Sequence, residues 1–229
     1  MTAVSAPERR RAPEQRPAPD APWFPVVLLG VALAVVGAIG TDLTGGNPLD
    51  DMLSHAVHRP AGWWWLTGCV VGMEIAAAGT ALGVRRHLTT GRLRTTAFGL
   101  LTLWSVGLAA VAAVPSDVPG DPTTAAGRVH QLAAAAVVVG PPALGLLISN
   151  ACSPRARTVL RRAVVGQAGL GTFFVALHVP VVLLGAEPGS GFGLVERLML
   201  AGMTATAVLA AACLASVSPP PLTTGRGPQ

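Results

Sequence analysis

The chain has 229 residues, of which 51% are hydrophobic and only 12% charged, and its mean hydropathy is +0.56. A water-soluble domain carries about 25% charged residues, and here the apolar residues come in long blocks, so a soluble globular fold is excluded. The net charge of +5 comes from arginine alone, because the sequence contains no lysine. Those arginines stand in short runs between apolar blocks, which is a pattern of membrane topology and not of nucleic-acid binding.

Residues 1–22 are rich in Ala, Pro and Arg without any apolar period, and read as a disordered tail. The first apolar block runs from Trp23 to Gly40. It is longer than a signal-peptide core and no A-x-A site follows, so it is expected to stay as an uncleaved helix. Five further blocks follow at 62–84, 95–114, 129–149, 163–185 and 195–217. Each has about 20 residues, enough to cross a hydrocarbon core ~30 Å thick as a helix. Backbone polar groups in lipid must be satisfied within the segment, so strands are not an option for isolated blocks. The predicted fold is all-α, a polytopic integral membrane bundle of six transmembrane helices over residues 23–217. A second disordered tail is expected over 218–229.

Arginine asymmetry sets the expected orientation. Thirteen of the sixteen arginines fall in the N-terminal tail, the second-to-third and fourth-to-fifth connections and the C-terminal tail; only Arg59, Arg128 and Arg197 fall on the other side. This predicts both termini in the cytoplasm. Trp63, Trp64 and Trp65 then mark the outer interface. The bias toward Ala, Val, Gly, Pro and Arg suggests a high-GC bacterial genome, and hence the inner (plasma) membrane. Cys69, Cys152 and Cys213 show no metal spacing and read as small buried hydrophobes. Pro141-Pro142 predicts a kink in helix four, and Gly68-x-x-x-Gly72 permits close packing by helix two.

Glu74 stands near the middle of helix two, where a charge costs on the order of 3 kcal/mol on insertion scales. Its functional reading is a proton donor or substrate-contacting acid; its bland reading is a carboxylic acid bonded to a neighbouring helix. His178 on helix five and His130 at the start of helix four both fall in the outer half. Each is read either as a catalytic group or as a hydrogen-bonded structural histidine, and haem or a metal ion at the pair is a minor alternative. No cofactor is otherwise predicted. Asp117 is a further catalytic candidate, and Glu196 and Arg197, which open helix six, are candidate substrate- or headgroup-binding residues together with Asp121 and Arg128. Asp117, Asp121, Arg128, His130 and Arg197 are expected to gather at one outer rim, either as a loop-tying salt-bridge cluster or as a mouth that recognises a headgroup or phosphate. P-loop, G-x-S-x-G and H-E-x-x-H motifs are absent.

The segment from Val114-Pro-Ser-Asp117 to Asp121, followed by Thr124 and Gly127-Arg-Val-His130, resembles a pattern in bacterial membrane proteins catalogued as domain of unknown function 998. Leu53-Ser54-His55 leading to Gly62-Trp63, and Gly193-Leu-Val-Glu196-Arg197, resemble two further stretches of that family. The sequence departs from the pattern at Val114 and Ser116, and at His55, where the family carries an acidic residue. The resemblance implies six helices and points to Asp117, Gly127, His130 and Arg197 without naming a reaction. The expected function is an intramembrane enzyme with an outward-facing pocket, acting on a lipid or isoprenoid by acid/base chemistry, possible cyclisation included. A small lipid or solute transporter, or a non-catalytic subunit of a membrane complex, is the alternative.

Overall fold

A computed structural model describes residues 21–88, 91–118, 121–184 and 190–217. The expected tails lie outside the described residues except for Ala21 and Pro22. Six long helices appear in chain order: α1 (Trp23–Leu43), α2 (Gly62–His87), α3 (Gly91–Ala113), α4 (Ala125–Ser149), α5 (Pro154–Leu184) and α6 (Phe192–Ala215). A short 3-10 helix, η1 (Leu53–His58), lies between α1 and α2. All six long helices have a stretch long and apolar enough to cross a membrane, and no strand occurs among the described residues. Consecutive helices pack as neighbours, and α6 closes the bundle against α1, α2, α4 and α5.

The helices run further than the apolar blocks. α5 begins at Pro154, so Arg155, Arg157, Arg161 and Arg162 are helical and do not form a loop. Proline suits the first helical position and arginine is a good helix former; the charges end the hydropathic block without ending the helix. Two of these arginines also serve the preceding helix. Arg157 donates to the carbonyls of Ser149 and Asn150, both at 3.2 Å, and Arg161 donates to Ser149 Oγ at 3.1 Å and Asn150 Oδ1 at 3.0 Å. They satisfy acceptors at the C-terminal end of α4, where carbonyls lack intrahelical partners. α4 itself stays helical through Pro141 and Pro142.

The tightest pairing is α1 against α2. A Cβ at Gly30 or Gly72 would overlap the backbone of the opposing helix, and one at Gly37 would overlap Cys69. Glycines spaced by seven on both helices, Gly30 and Gly37 against Gly72 and Gly79, let the backbones touch, which is how helices associate where no hydrophobic effect separates protein from lipid. Gly68 has no part in this: a Cβ there would meet nothing within 4 Å. The G-x-x-x-G reading is corrected accordingly. Gly68 and Gly72 differ by four residues and point to different surroundings, one open and one against α1.

The interior is filled by Met73, Val84, Trp104, Ile148, Leu160 and Leu214, each essentially fully buried. A void of about 10 Å³ remains beside Pro141, bounded also by Thr80, Trp104 and Thr206. Thr206 Oγ1 donates to Gln167 Oε1 at 2.6 Å, a buried polar tie between α6 and α5. At the arginine-rich end, Cys152 and Cys213 form a disulfide with Cα atoms 5.5 Å apart, fastening the α4–α5 turn to the end of α6. All three cysteines are buried, as expected, but only Cys69 is free.

Candidate functional site

The acidic end of the bundle is organised by Arg197, one turn into α6. Its Nε lies 3.1 and 3.3 Å from the two carboxylate oxygens of Asp42, at the end of α1, and its Nη2 also donates to Asp42 Oδ1. Nη1 donates to the carbonyls of Asp51 and Gly193, both at 2.9 Å. The guanidinium fork thus joins α1, the α1–α2 connection and α6, using donors that no lysine presents in one plane. The opening of α6 is drawn onto the same connection through Gly193 N to Asp50 O at 3.2 Å and Leu194 N to Leu49 O at 2.9 Å. A Cβ at Gly193 would overlap Asp51 O.

Glu196 Oε2 accepts the backbone N–H of Leu53, the first residue of η1. Its carboxylate therefore caps η1 from a distance in sequence. Asp51 accepts from Arg59 Nη2 at 2.7 Å and from Asn47 N at 2.9 Å, and Asp50 accepts from Gly191 N at 2.8 Å. η1 reaches the α3–α4 connection as well: Ser116 Oγ donates to Ser54 O at 3.1 Å, and His58 Nε2 donates to Ser116 O at 3.0 Å.

Asp117 is engaged at the start of α4. Its carboxylate accepts Thr124 Oγ1 at 2.6 Å and Thr124 N at 3.2 Å, while Thr124 Oγ1 accepts Gly127 N at 3.0 Å, an N-cap. A Cβ at Gly127 would overlap the Asp117 carboxylate. The Asp-Thr-Gly spacing is thus a mechanical unit that starts α4. His130, buried one turn on, donates from Nδ1 to Val114 O at 2.7 Å, which fixes its tautomer and leaves Nε2 an acceptor. Asp121 and Arg128 are exposed, without a side-chain partner among the described residues.

His178 is held elsewhere. Nδ1 donates to Phe174 O at 2.9 Å, and the ring packs against Phe174 and Phe192 with centroids 4.0 and 4.8 Å away. It fastens α5 to the start of α6, whereas His130 fastens α4 to the end of α3. Among the described residues no three His, Cys, Asp or Glu side chains gather as a metal set.

The family model described as "Protein of unknown function (DUF998)" matches residues 75–213. The chain belongs to this family. No curated protein and no solved structure matches it. The DUF998 match takes in Asp117, Gly127, His130, His178, Glu196 and Arg197, and leaves α1, η1 and Glu74 outside.

Glu74 is half-buried at the middle of α2 and has no hydrogen bond among the described residues. Trp63, on the same helix, donates from Nε1 to Ala112 O of α3 at 3.4 Å. Glu74 stands eleven residues beyond Trp63, about three turns, and so returns to the side facing α3. Thr67 shares that side, and its buried hydroxyl also lacks a partner among the described residues. On α3, half-buried Ser105 stands seven residues, about two turns, before Ala112. An uncharged serine within an apolar block barely disturbs hydropathy, so Ser105 gives no signal in the sequence.

His55, on η1, is a titratable group of this end that lies outside the membrane-length helices. Burial pushes its imidazole down to about 4; Asp51 pulls the other way, while His58, Arg59 and His130 reinforce the fall. The unfolded imidazole titrates near 6.5, so His55 is neutral in the fold above about 4. Stability is then complete above about 6.5 and is lost as pH falls through 4, because only the unfolded chain takes the proton in that window. A loss of roughly 1–2 kcal/mol is expected between pH 7 and 4.5, discounted for residual solvent exposure. His55→Gln should flatten that part of a pH–melting profile in detergent; an unchanged slope would assign it to other groups.

Proposed function

We propose that this protein is an intramembrane enzyme acting on a lipid or isoprenoid at the α2–α3 seam, with Glu74 as its acid/base group. One observation carries this reading. Of the three acidic residues within the six long helices, Asp42, Glu74 and Glu196, only Glu74 has no hydrogen-bond partner among the described residues. An unpaired carboxyl at membrane depth is a functional group by default, since its insertion cost is not returned by a structural bond. A carboxyl donates a proton in its acid form and accepts one when ionised, which is what proton addition to, or removal from, an apolar substrate needs. The unpartnered hydroxyl of Thr67 falls on the same face of α2, two turns before Glu74. Asp117 and His130, catalytic candidates by sequence, and Glu196 and Arg197, headgroup-binding candidates by sequence, join elements of the acidic end through their polar atoms and serve this reading as scaffold. The arginine asymmetry supports an orientation with both termini in the cytoplasm, and so a seam whose acidic end faces outward.

A hydrophobic carbodiimide tests the site, because it modifies carboxylic acids reached from lipid. Glu74 should be the labelled residue in membranes at neutral pH. Glu74→Gln should remove the label, leave the melting temperature unchanged, and abolish the lipid product that the wild-type chain generates in a null host. An unlabelled Glu74, or a Gln variant with the wild-type lipid profile, would end the proposal.

A further inference from the structure

We infer that the end of the bundle opposite the acidic rim binds anionic phospholipid headgroups through the arginines flanking the α2–α3 turn. The inference does not depend on the Glu74 reading. Arg85 and Arg86 stand in the last turn of α2, and Arg92 and Arg94 in the first turn of α3. All four are exposed, as are Arg155 and Arg162 at the start of α5. Among the described residues this end contains no acidic side chain: Asp42, Asp50, Asp51, Asp117, Asp121 and Glu196 are at the other end, and Glu74 is at mid-depth. Neither of the two salt bridges among the described residues involves these arginines. Arg157 and Arg161, by contrast, are used up on the end of α4. Among the described residues, the basic side chains of this end therefore divide into two that serve folding and a set without an acidic partner.

The patch also has a fixed element. The Arg86 guanidinium carbon sits 5.6 Å from the centre of the Trp23 ring, a cation–π contact that holds it at the level where α1 begins. Trp23 is itself buried, so the arginine rests on a rigid support. Lateral position decides the partner. These groups mark the ends of membrane-length helices, where phosphodiester headgroups are the concentrated anion. Guanidinium forks match phosphate oxygens two at a time.

The full-length chain in detergent, titrated with phosphatidylglycerol or phosphatidylcholine and examined by native mass spectrometry, tests this. Phosphatidylglycerol should be bound roughly tenfold more tightly than phosphatidylcholine, as expected of several arginines at a headgroup surface. Replacing Arg85, Arg86, Arg92 and Arg94 with glutamine should bring the two lipids to parity. Should that variant fail to insert, the pairs Arg85→Gln/Arg86→Gln and Arg92→Gln/Arg94→Gln should each lower the preference in part. Equal binding of both lipids by the wild-type chain, or a preference untouched by the pairs, would overturn the inference. Complete displacement by millimolar inorganic phosphate would overturn it in favour of a soluble anion, and an acidic protein found on the patch in place of lipid would do so as well.

Discussion

Arg197→Ala is expected to destabilise the bundle by about 3–5 kcal/mol, the cost of removing one member of a largely buried, hydrogen-bonded ion pair. For a chain of this size that is about 10 °C in melting temperature. Three elements depend on this guanidinium: α1 through Asp42, the α1–α2 connection through Asp51 O, and the first turn of α6 through Gly193 O. The Arg197 and Asp42 side chains are only 20% and 31% exposed, so water does little to replace the lost partner. Arg197→Lys should recover only part of the loss, because an ammonium cannot serve a carboxylate and two carbonyls in one plane. The Asp42→Ala/Arg197→Ala double variant should melt above the sum of the two single losses, since neither charge is then stranded. A single variant that melts with the wild-type chain would show that the rim does not hold the helices together.

The helices were legible because the bilayer imposes a direct physical demand, about 20 apolar residues with internally satisfied backbone, and six blocks meet it. Their ends were less legible. Arg155, Arg157, Arg161 and Arg162 precede the apolar run but already belong to α5, because helix propensity and hydropathy are different quantities. The clustering of polar residues at one end was readable, and Arg197 does meet an acid there. What each polar atom does was not readable. Asp117, set seven residues before Thr124 and ten before Gly127, looks like chemistry until the cap geometry is seen. The acid that meets Arg197 is Asp42, 155 residues away, a partner only the packing of α1 on α6 selects. The Cys152–Cys213 disulfide, separated by 61 residues, is of the same kind.

The glycine register of α1 and α2 gives the second large effect. Gly72→Leu is expected to prevent the two helices from docking, so that the variant is degraded or recovered only as aggregate. A branched side chain at 72 would have to occupy the backbone of Ala34 and Gly30, and neither can yield as a flexible side chain can. Even Gly72→Ala should cost several kcal/mol, at the upper end of overpacking penalties, because the obstruction is main chain. Gly68→Leu, four residues earlier on the same helix, is the control: a Cβ there meets nothing within 4 Å. It should leave expression and detergent stability as they are. The contrast separates register from composition, since both positions are glycines of one G-x-x-x-G string. Size-exclusion profiles of the three variants, read by a fluorescent fusion, measure it directly. Equal loss at 68 and 72 would mean that α2 packs by a different face. Loss at 72 alone would fix α1 on the Gly72–Gly79 side, and leave the side carrying Thr67 and Glu74 turned toward α3.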